Sequence, residues 1–384
     1  MLLLRVILIS SLMLSSLHAV IGRDAFVYFG TYTHAKTQSQ GIYRSRLNVV
    51  TGHLAPAELV APASDPAFLA LHPNGRILYA IDESADAQRH PGKGLKAYAL
   101  NPTSGALTFL NEISTGSSGA CHLAVDATGQ TLLVAHYGGG SVSAVKLLSD
   151  GRLGALTSLI PHQGKSVNRE RQEGPHPHGV YLTPDNRYVL VPDLGLDMVL
   201  SYALDAATGK LTPSASFAGT TVTAGSGPRH LAFHPDQPFV YVINELFCTI
   251  DVFHYSSSGP LVHRQTMTTL PPGESIAPDT STAEIQVHPN GRFLYGSNRG
   301  ANTLVSYAID PKTGQLTTIE SVATLGQTPR HFGLDPSGTW LLVENQDSHT
   351  VTVFRVDSAT GRLTATGQRL AVPSPVCAVF VPAP

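Results

Sequence analysis

The chain has 384 residues, with 25 Lys and Arg against 27 Asp and Glu and only 14% charged side chains. This near-neutral balance, without a run of Lys or Arg, excludes a nucleic-acid surface, which needs a basic stripe. A hydrophobic content of 42% excludes disorder, and 35 Gly with 27 Pro, about one residue in six, favour many short strands over helices.

The chain opens on Arg5, an apolar stretch through Val6, Ile7, Leu8, Ile9, Leu12, Met13 and Leu14, and then Ser15-Ser16-Leu17-His18-Ala19. Residues 1–19 read as a signal peptide cut near Ala19. The apolar core is shorter than the roughly 20 residues needed to span a bilayer. The expectation is export to a periplasm or the medium, with no membrane attachment after cleavage. Cys121, Cys248 and Cys377 are an odd number without metal-ligand spacing, and they read as buried small apolar residues.

Residues 24–384 carry one repeat. Pro228-Arg229-His230-Leu231-Ala232-Phe233-His234-Pro235 returns at 329–336 as Pro-Arg-His-Phe-Gly-Leu-Asp-Pro, each followed by a polar turn and an apolar run. The landmark recurs at Pro73, Ala127, Pro184, Pro235, Pro289, Pro336 and Pro382, at intervals of 46 to 57 residues. A second motif alternates with it, two strand-like runs around a turn at Gly52, Gly105, Gly151, Gly209, Gly259, Gly314 and Gly361. Two hairpins per repeat make four strands, and four strands in about 50 residues make a propeller blade. Blades are expected at 66–119, 120–174, 175–227, 228–281, 282–328 and 329–374. The seventh pairs the first run, Phe26-Val27-Tyr28-Phe29, with the last, 376–381. The fold class is therefore all-β: a single, monomeric seven-bladed β-propeller of four-stranded antiparallel blades, its ring closed by the two terminal strands. A β-sandwich would not repeat in phase seven times with complementary ends.

Equivalent repeat positions share a radius and a height about the propeller axis. Six residues before each landmark, opening the innermost strand, stand Ala67, Cys121, His178, Arg229, Ala283, Arg330 and Val376. Ten residues after it, ending the next strand, stand Glu83, Tyr137, Leu194, Glu245, Arg299 and Gln346, with Tyr32 in the composite blade. The hairpin brings both rings to one mouth of the central channel. A surplus of Arg there awaits an oxyanion, carboxylate or phosphate; the alternative is an ion-pair ring, such as Arg229 with Glu245, that plugs the channel. The loop 161–176 enters from the same face with His162, Lys165, Ser166, Asn168, Arg169, Arg171 and Gln172, and a long polar insertion over a site either contacts ligand or is simply solvated. His72, His234 and His288 stand in turns as capping or surface residues. No Gly-x-Ser-x-Gly elbow is present, and Gly138-Gly139-Gly140 leads into a strand, so a serine hydrolase and a phosphate cradle both lack a basis.

Several segments carry a resemblance: 120–126, Tyr137-Gly138-Gly139-Gly140-Ser141-Val142, Pro175-His176-Pro177-His178, Gly227-Pro228-Arg229-His230, Asn244-Glu245-Leu246 and Ser297-Asn298-Arg299-Gly300. They resemble the seven-bladed propeller lactonase family, which includes 6-phosphogluconolactonase-like proteins and has fungal 3-carboxy-cis,cis-muconate lactonising enzymes as relatives. In the muconate enzymes a His, an Arg, a Glu and a second Arg form the site, and the matching positions here are His178, Arg229, Glu245 and Arg299. The sequence departs from the pattern at His136, where Asn usually precedes the Tyr-Gly-Gly run.

The resemblance implies a hydrolase that opens a sugar lactone, 6-phosphogluconolactone- or gluconolactone-like, to its aldonic acid; no cofactor is expected, and no metal, because the Arg-rich central face repels a cation. Export tilts the expected substrate toward an unphosphorylated lactone. Arg330, Tyr137, Glu83, His122 and Arg169 are the expected substrate contacts. Arg229, with Arg299 or Arg330, is expected to stabilise the oxyanion; Glu245 or His178 can act as base, and Glu245 is favoured. The alternatives are a carboxymuconate cycloisomerase and a non-enzymatic periplasmic binding propeller.

Overall fold

The computed structural model describes residues 24–34, 37–90, 92–215, 217–257, 259–271 and 273–383, so the expected signal peptide lies outside the described residues. Seven antiparallel sheets follow one another around a ring. Blade 1 is the composite one, in the order Pro375–Pro382, Ala25–Thr31, Gly41–Leu47 and Glu58–Pro62. Blades 2 to 7 open on the strands Leu69–Leu71, Ala120–Val125, Tyr181–Leu182, Pro228–Phe233, Ser281–Val287 and Pro329–Leu334. Each run pairs outward in chain order, as the repeat predicts.

The ring closes through Phe26↔Val381, Val27↔Phe380 and Tyr28↔Val379. Seven apolar clusters fill the spaces between the blades, one at each junction among the described residues. Val27, Phe29, Trp340 and Leu342 pack between blades 7 and 1, just as Tyr79, Ile81, Leu132 and Val134 pack between blades 2 and 3. The second strand of each blade is apolar on both sides because it faces a neighbouring blade on each, which is why these runs are continuous rather than alternating.

The recurring turns also fasten blades together. Gly52 stands at φ +74°, and a Cβ there would meet the Trp340 ring at 2.5 Å; Trp340 Nε1 donates to the carbonyl of Val49 at 2.9 Å. Tyr28, Tyr79 and Tyr295 donate in the same way to the carbonyls of Gly105, Gly151 and Gly361 in the following blades. The landmark histidines do more than cap their turns. Nδ1 of His234 and of His288 accepts a backbone N–H of its own turn, while Nε2 donates to the carbonyl of Gly291 or Gly338 in the next blade. Both rings are buried, not at the surface.

Blade 4 departs from the four-strand pattern. Its outer edge is split into Lys210–Pro213 and Gly219–Thr221, both paired to Met198–Asp205. Its innermost strand shrinks to Tyr181–Leu182, preceded by one isolated bridge from Pro177 to Asp193. Pro175 and Pro177 have no N–H to give to a ladder. The three cysteines are buried and unpaired, as expected.

Candidate active site

Three residues of the inner ring occupy β-bulges. The pairing register slips between Pro228 and His230, between Pro329 and His331 and between Ala120 and His122, so Arg229, Arg330 and Cys121 are the extra residues of bulges. A bulge re-aims side chains and lets two consecutive residues turn the same way, which a regular strand forbids. The second ring is held by one repeated bond: the backbone N–H groups of Glu83, Tyr137, Glu245 and Gln346 reach the carbonyls of Asp65, Gly119, Gly227 and Thr328. Both rings therefore meet at one mouth. A small cleft there, of about 10 Å³, is lined by Tyr32, Glu83, Cys121, Arg229, His230 and Arg330, among others.

Glu245 is the hub of the site. Its Oε2 lies 3.1 Å from Arg229 Nε and 3.0 Å from an Arg299 amino nitrogen, and its Oε1 takes 2.6 Å from Arg171. Burial alone would raise its pKa, but Arg299 and Arg229, with His178 and Arg171 behind them, hold the carboxyl far below its ordinary range. Arg229 also donates to the carbonyl of Ala283 at 2.6 Å, and Arg299 to that of Thr282 at 2.7 Å. Burial pulls Arg299 down to about 10, against the opposing pull of Glu245, which leaves it charged at neutral pH. Its Nε–H is buried and has no protein partner.

Across the mouth, the Arg330 guanidinium stands 5.4 Å over the Tyr32 ring, and Tyr32 donates to Glu83 at 2.9 Å. Burial raises the Glu83 pKa, with Arg330 opposing it. His178 is buried, edge-on to Tyr137 at 5.4 Å and to His230 at 5.3 Å between ring centroids. Its Nδ1 has no partner, and burial together with the Arg229 charge keeps the ring neutral well below the ordinary histidine pKa of 6.5. The ion-pair alternative is thus half right. Glu245 is saturated by arginines, yet four arginines face it and Glu83, so the positive surplus persists.

Two expected substrate contacts are placed elsewhere. Arg169 is exposed on its loop, and Arg171 is the loop residue that enters the site, bonding Glu245 and the Tyr137 hydroxyl. Asn168 Oδ1 accepts the N–H groups of both Glu170 and Arg171, forming a turn with Arg169 on its outer side, and the fully buried Gln172 pins the turn to the carbonyl of Leu194. His122 is buried among the rings of Phe68, Tyr181 and His230, where its Nδ1 accepts the Val180 N–H at 3.3 Å; like Tyr137, His178, Glu245 and Arg299, it is not among the residues that line the cleft. Sequence spacing does not single out Arg171, because a loop carries no repeat phase. His230 and Glu284 were within reach: five residues before each landmark, instead of six, stand Phe68, His122, Gly179, His230, Glu284, His331 and Cys377.

Residues 26–380 match the family model of the seven-bladed β-propeller lactonases. The chain is 36% identical to the 6-phosphogluconolactonase of Bacillus subtilis over 355 residues, 92% of this chain and 97% of that one. It is 29% identical to a 6-phosphogluconolactonase of Formosa agariphila, over 80% of this chain and 86% of the other. Its fold matches the solved structure of the periplasmic gluconolactonase of Pseudomonas aeruginosa with a TM-score of 0.87 and 31% identity, covering 94% of this chain and 100% of that one.

Proposed function

Because this chain belongs to the seven-bladed β-propeller lactonase family, we propose that it hydrolyses a sugar lactone to its aldonic acid at the arginine-lined mouth of the channel. One observation carries this reading: the 36% identity to a 6-phosphogluconolactonase that spans nearly the whole of both chains. In this reaction water adds to the lactone carbonyl, negative charge gathers on the carbonyl oxygen, and the ring C–O bond then breaks. Arg229, with Arg299 or Arg330, supplies fixed charge-assisted donors to that oxygen. The base takes one proton from the attacking water and returns it to the ring oxygen as it leaves. The role passes from Glu245 to His178, since both Glu245 oxygens are held by arginines, whereas a ring nitrogen of the unprotonated His178 has no partner. Glu245 then orders the arginines. Tyr137, Glu83 and Arg330 face the substrate, and Arg171 joins them from the loop.

The reading includes export through residues 1–19 to a periplasm, action as a monomer, and an unphosphorylated lactone as substrate. The name of the Pseudomonas neighbour, a periplasmic gluconolactonase, supports that choice. Acid release from gluconolactone and from 6-phosphogluconolactone, less spontaneous opening, tests it. Faster turnover of gluconolactone is expected; preference for the phosphate ester reverses the substrate choice. Loss of carboxymuconate absorbance establishes the cycloisomerase instead, and inactivity on all three leaves a binding propeller. Activity should survive exhaustive chelation, because four arginines at the mouth repel a cation; loss restored by calcium or zinc overturns that.

A further inference from the structure

One layer below the mouth, the innermost strands carry polar groups where packing calls for apolar ones. His122, His230, Glu284 and His331 are all buried, and they belong to four different blades. They are not an inert plug of unrelated side chains. Glu344 Oε2 lies 2.8 Å from His331 Nδ1, His331 Nε2 lies 3.9 Å from Glu284 Oε2, and Glu284 Oε2 lies 2.9 Å from His230 Nδ1. The chain ends at the mouth, where an Arg229 amino nitrogen stands 3.2 Å and 3.3 Å from the two ring nitrogens of His230. The same bulge that frees Arg229 turns His230 beside it. Glu284 lies at a further register shift in blade 6, between Thr282 and Ile285, and its own N–H is tied to Ser297 Oγ at 3.0 Å.

We propose that Glu284 is a positioning residue for lactone hydrolysis, acting through His230 to fix the guanidinium of Arg229 at the pocket. Arg229 has three anchors: Glu245 on Nε, the Ala283 carbonyl on an amino group, and the His230 ring. The first two restrain the guanidinium edge. The His230 ring sets its tilt, and Glu284 sets the ring. The inference rests on the lactonase reading, because it needs Arg229 to act on the reacting carbonyl.

The charge on Glu284 then matters. Burial raises its carboxyl to about 8, against the pull of Arg229. The other groups facing it do not supply a compensating cation: burial and Arg229 hold the pKa values of His230 and His331 down, and burial raises those of Glu344, Tyr181 and Cys377. Below about pH 8 Glu284 is a neutral carboxylic acid that gives its proton to the His230 hydrogen bond. Above it, a carboxylate beside His230 offsets the Arg229 charge, and oxyanion stabilisation falls.

Glu284→Gln and Glu284→Ala test this against wild type, with Arg229→Ala as reference. For wild type, kcat/KM corrected for spontaneous opening should fall as pH rises through about 8, and the fall should be missing in Glu284→Gln. Glu284→Ala should lower kcat, up to about 100-fold for a misplaced group, with KM nearly constant, and Gln should recover most of that loss. In wild type the carbon-13 signal of the Glu284 carboxyl should titrate near 8, and the Arg229 guanidinium nitrogen signals should show slowed rotation that averages in Glu284→Ala. The inference is overturned if Arg229→Ala slows hydrolysis while both Glu284 variants keep the wild-type pH profile and kcat. It is equally overturned if the Arg229 signals are the same with and without Glu284. A wild-type protein inert on every lactone removes the lactonase reading itself, and the guanidinium signals still decide whether Glu284 holds Arg229. Should Glu284→Ala not fold, Glu284→Gln and the wild-type titration carry the test.

Discussion

At the scale of single residues, the site depends on arginines that cannot relax. Arg229 is almost completely buried, and its contacts to Glu245 and to the Ala283 carbonyl fix its guanidinium at the mouth. Arg229→Ala should cost on the order of 100-fold in kcat, the usual loss for one oxyanion donor, measured as initial rates of acid release. In the proposed mechanism His178 sets the acid side. Burial and the Arg229 charge keep its ring unprotonated well below 6.5, so protonation, which would remove the base, comes only at much lower pH. We therefore expect kcat/KM to stay level as pH falls through 6.5 and to drop only well below it; a limb centred near 6.5 would show that His178 is not the base.

At the scale of elements, the loop that brings Arg171 into the site is a braced insertion. His162 at its start donates from Nδ1 to Asp193 at 2.6 Å, and its Nε2 accepts the Tyr202 hydroxyl at 2.8 Å. The second Asp193 oxygen takes the N–H groups of His176, Gly195 and Leu196. One buried carboxylate thus ties both ends of the loop to the end of a strand in blade 4. Asp193→Ala orphans several buried donors, each worth roughly 1–3 kcal/mol, so unfolding in urea should show a loss of at least about 2 kcal/mol. Activity should fall with it, since Arg171, with 41% of its side chain exposed, reaches Glu245 only from this loop.

At the scale of the whole molecule, stability comes from closure. Every blade buries apolar side chains against two neighbours, and blade 1 can do so only when Pro375–Pro382 pairs with Ala25–Thr31. Removing 375–384 strips the innermost strand from blade 1, opens the clusters on both sides of it, and leaves Ala25–Thr31 as an unpaired edge. The truncated chain should melt far below wild type or fail to fold; an unchanged melting temperature would mean that the ring is not held shut by its termini.

The sequence by itself determined the ring, the number of blades, the pairing of the two ends and the height at which Arg229, Arg299, Arg330, Glu245, His178 and Glu83 meet. It could do so because a repeat converts position in the chain into radius and height about one axis, and turn glycines mark the phase. Tertiary structure alone decided the rest. Which loop residue enters the mouth depends on a turn capped by Asn168, and so Arg171 is found there and Arg169 is not. That arginines hold both oxygens of Glu245 depends on how many converge on it from separate blades and a loop, a sum that no local pattern contains. His230 and Glu284 share a repeat position that the sequence displays, but their link to Arg229 needs the structure: strand alternation places neighbouring residues on opposite faces, and the bulge at Arg229 turns both toward the channel.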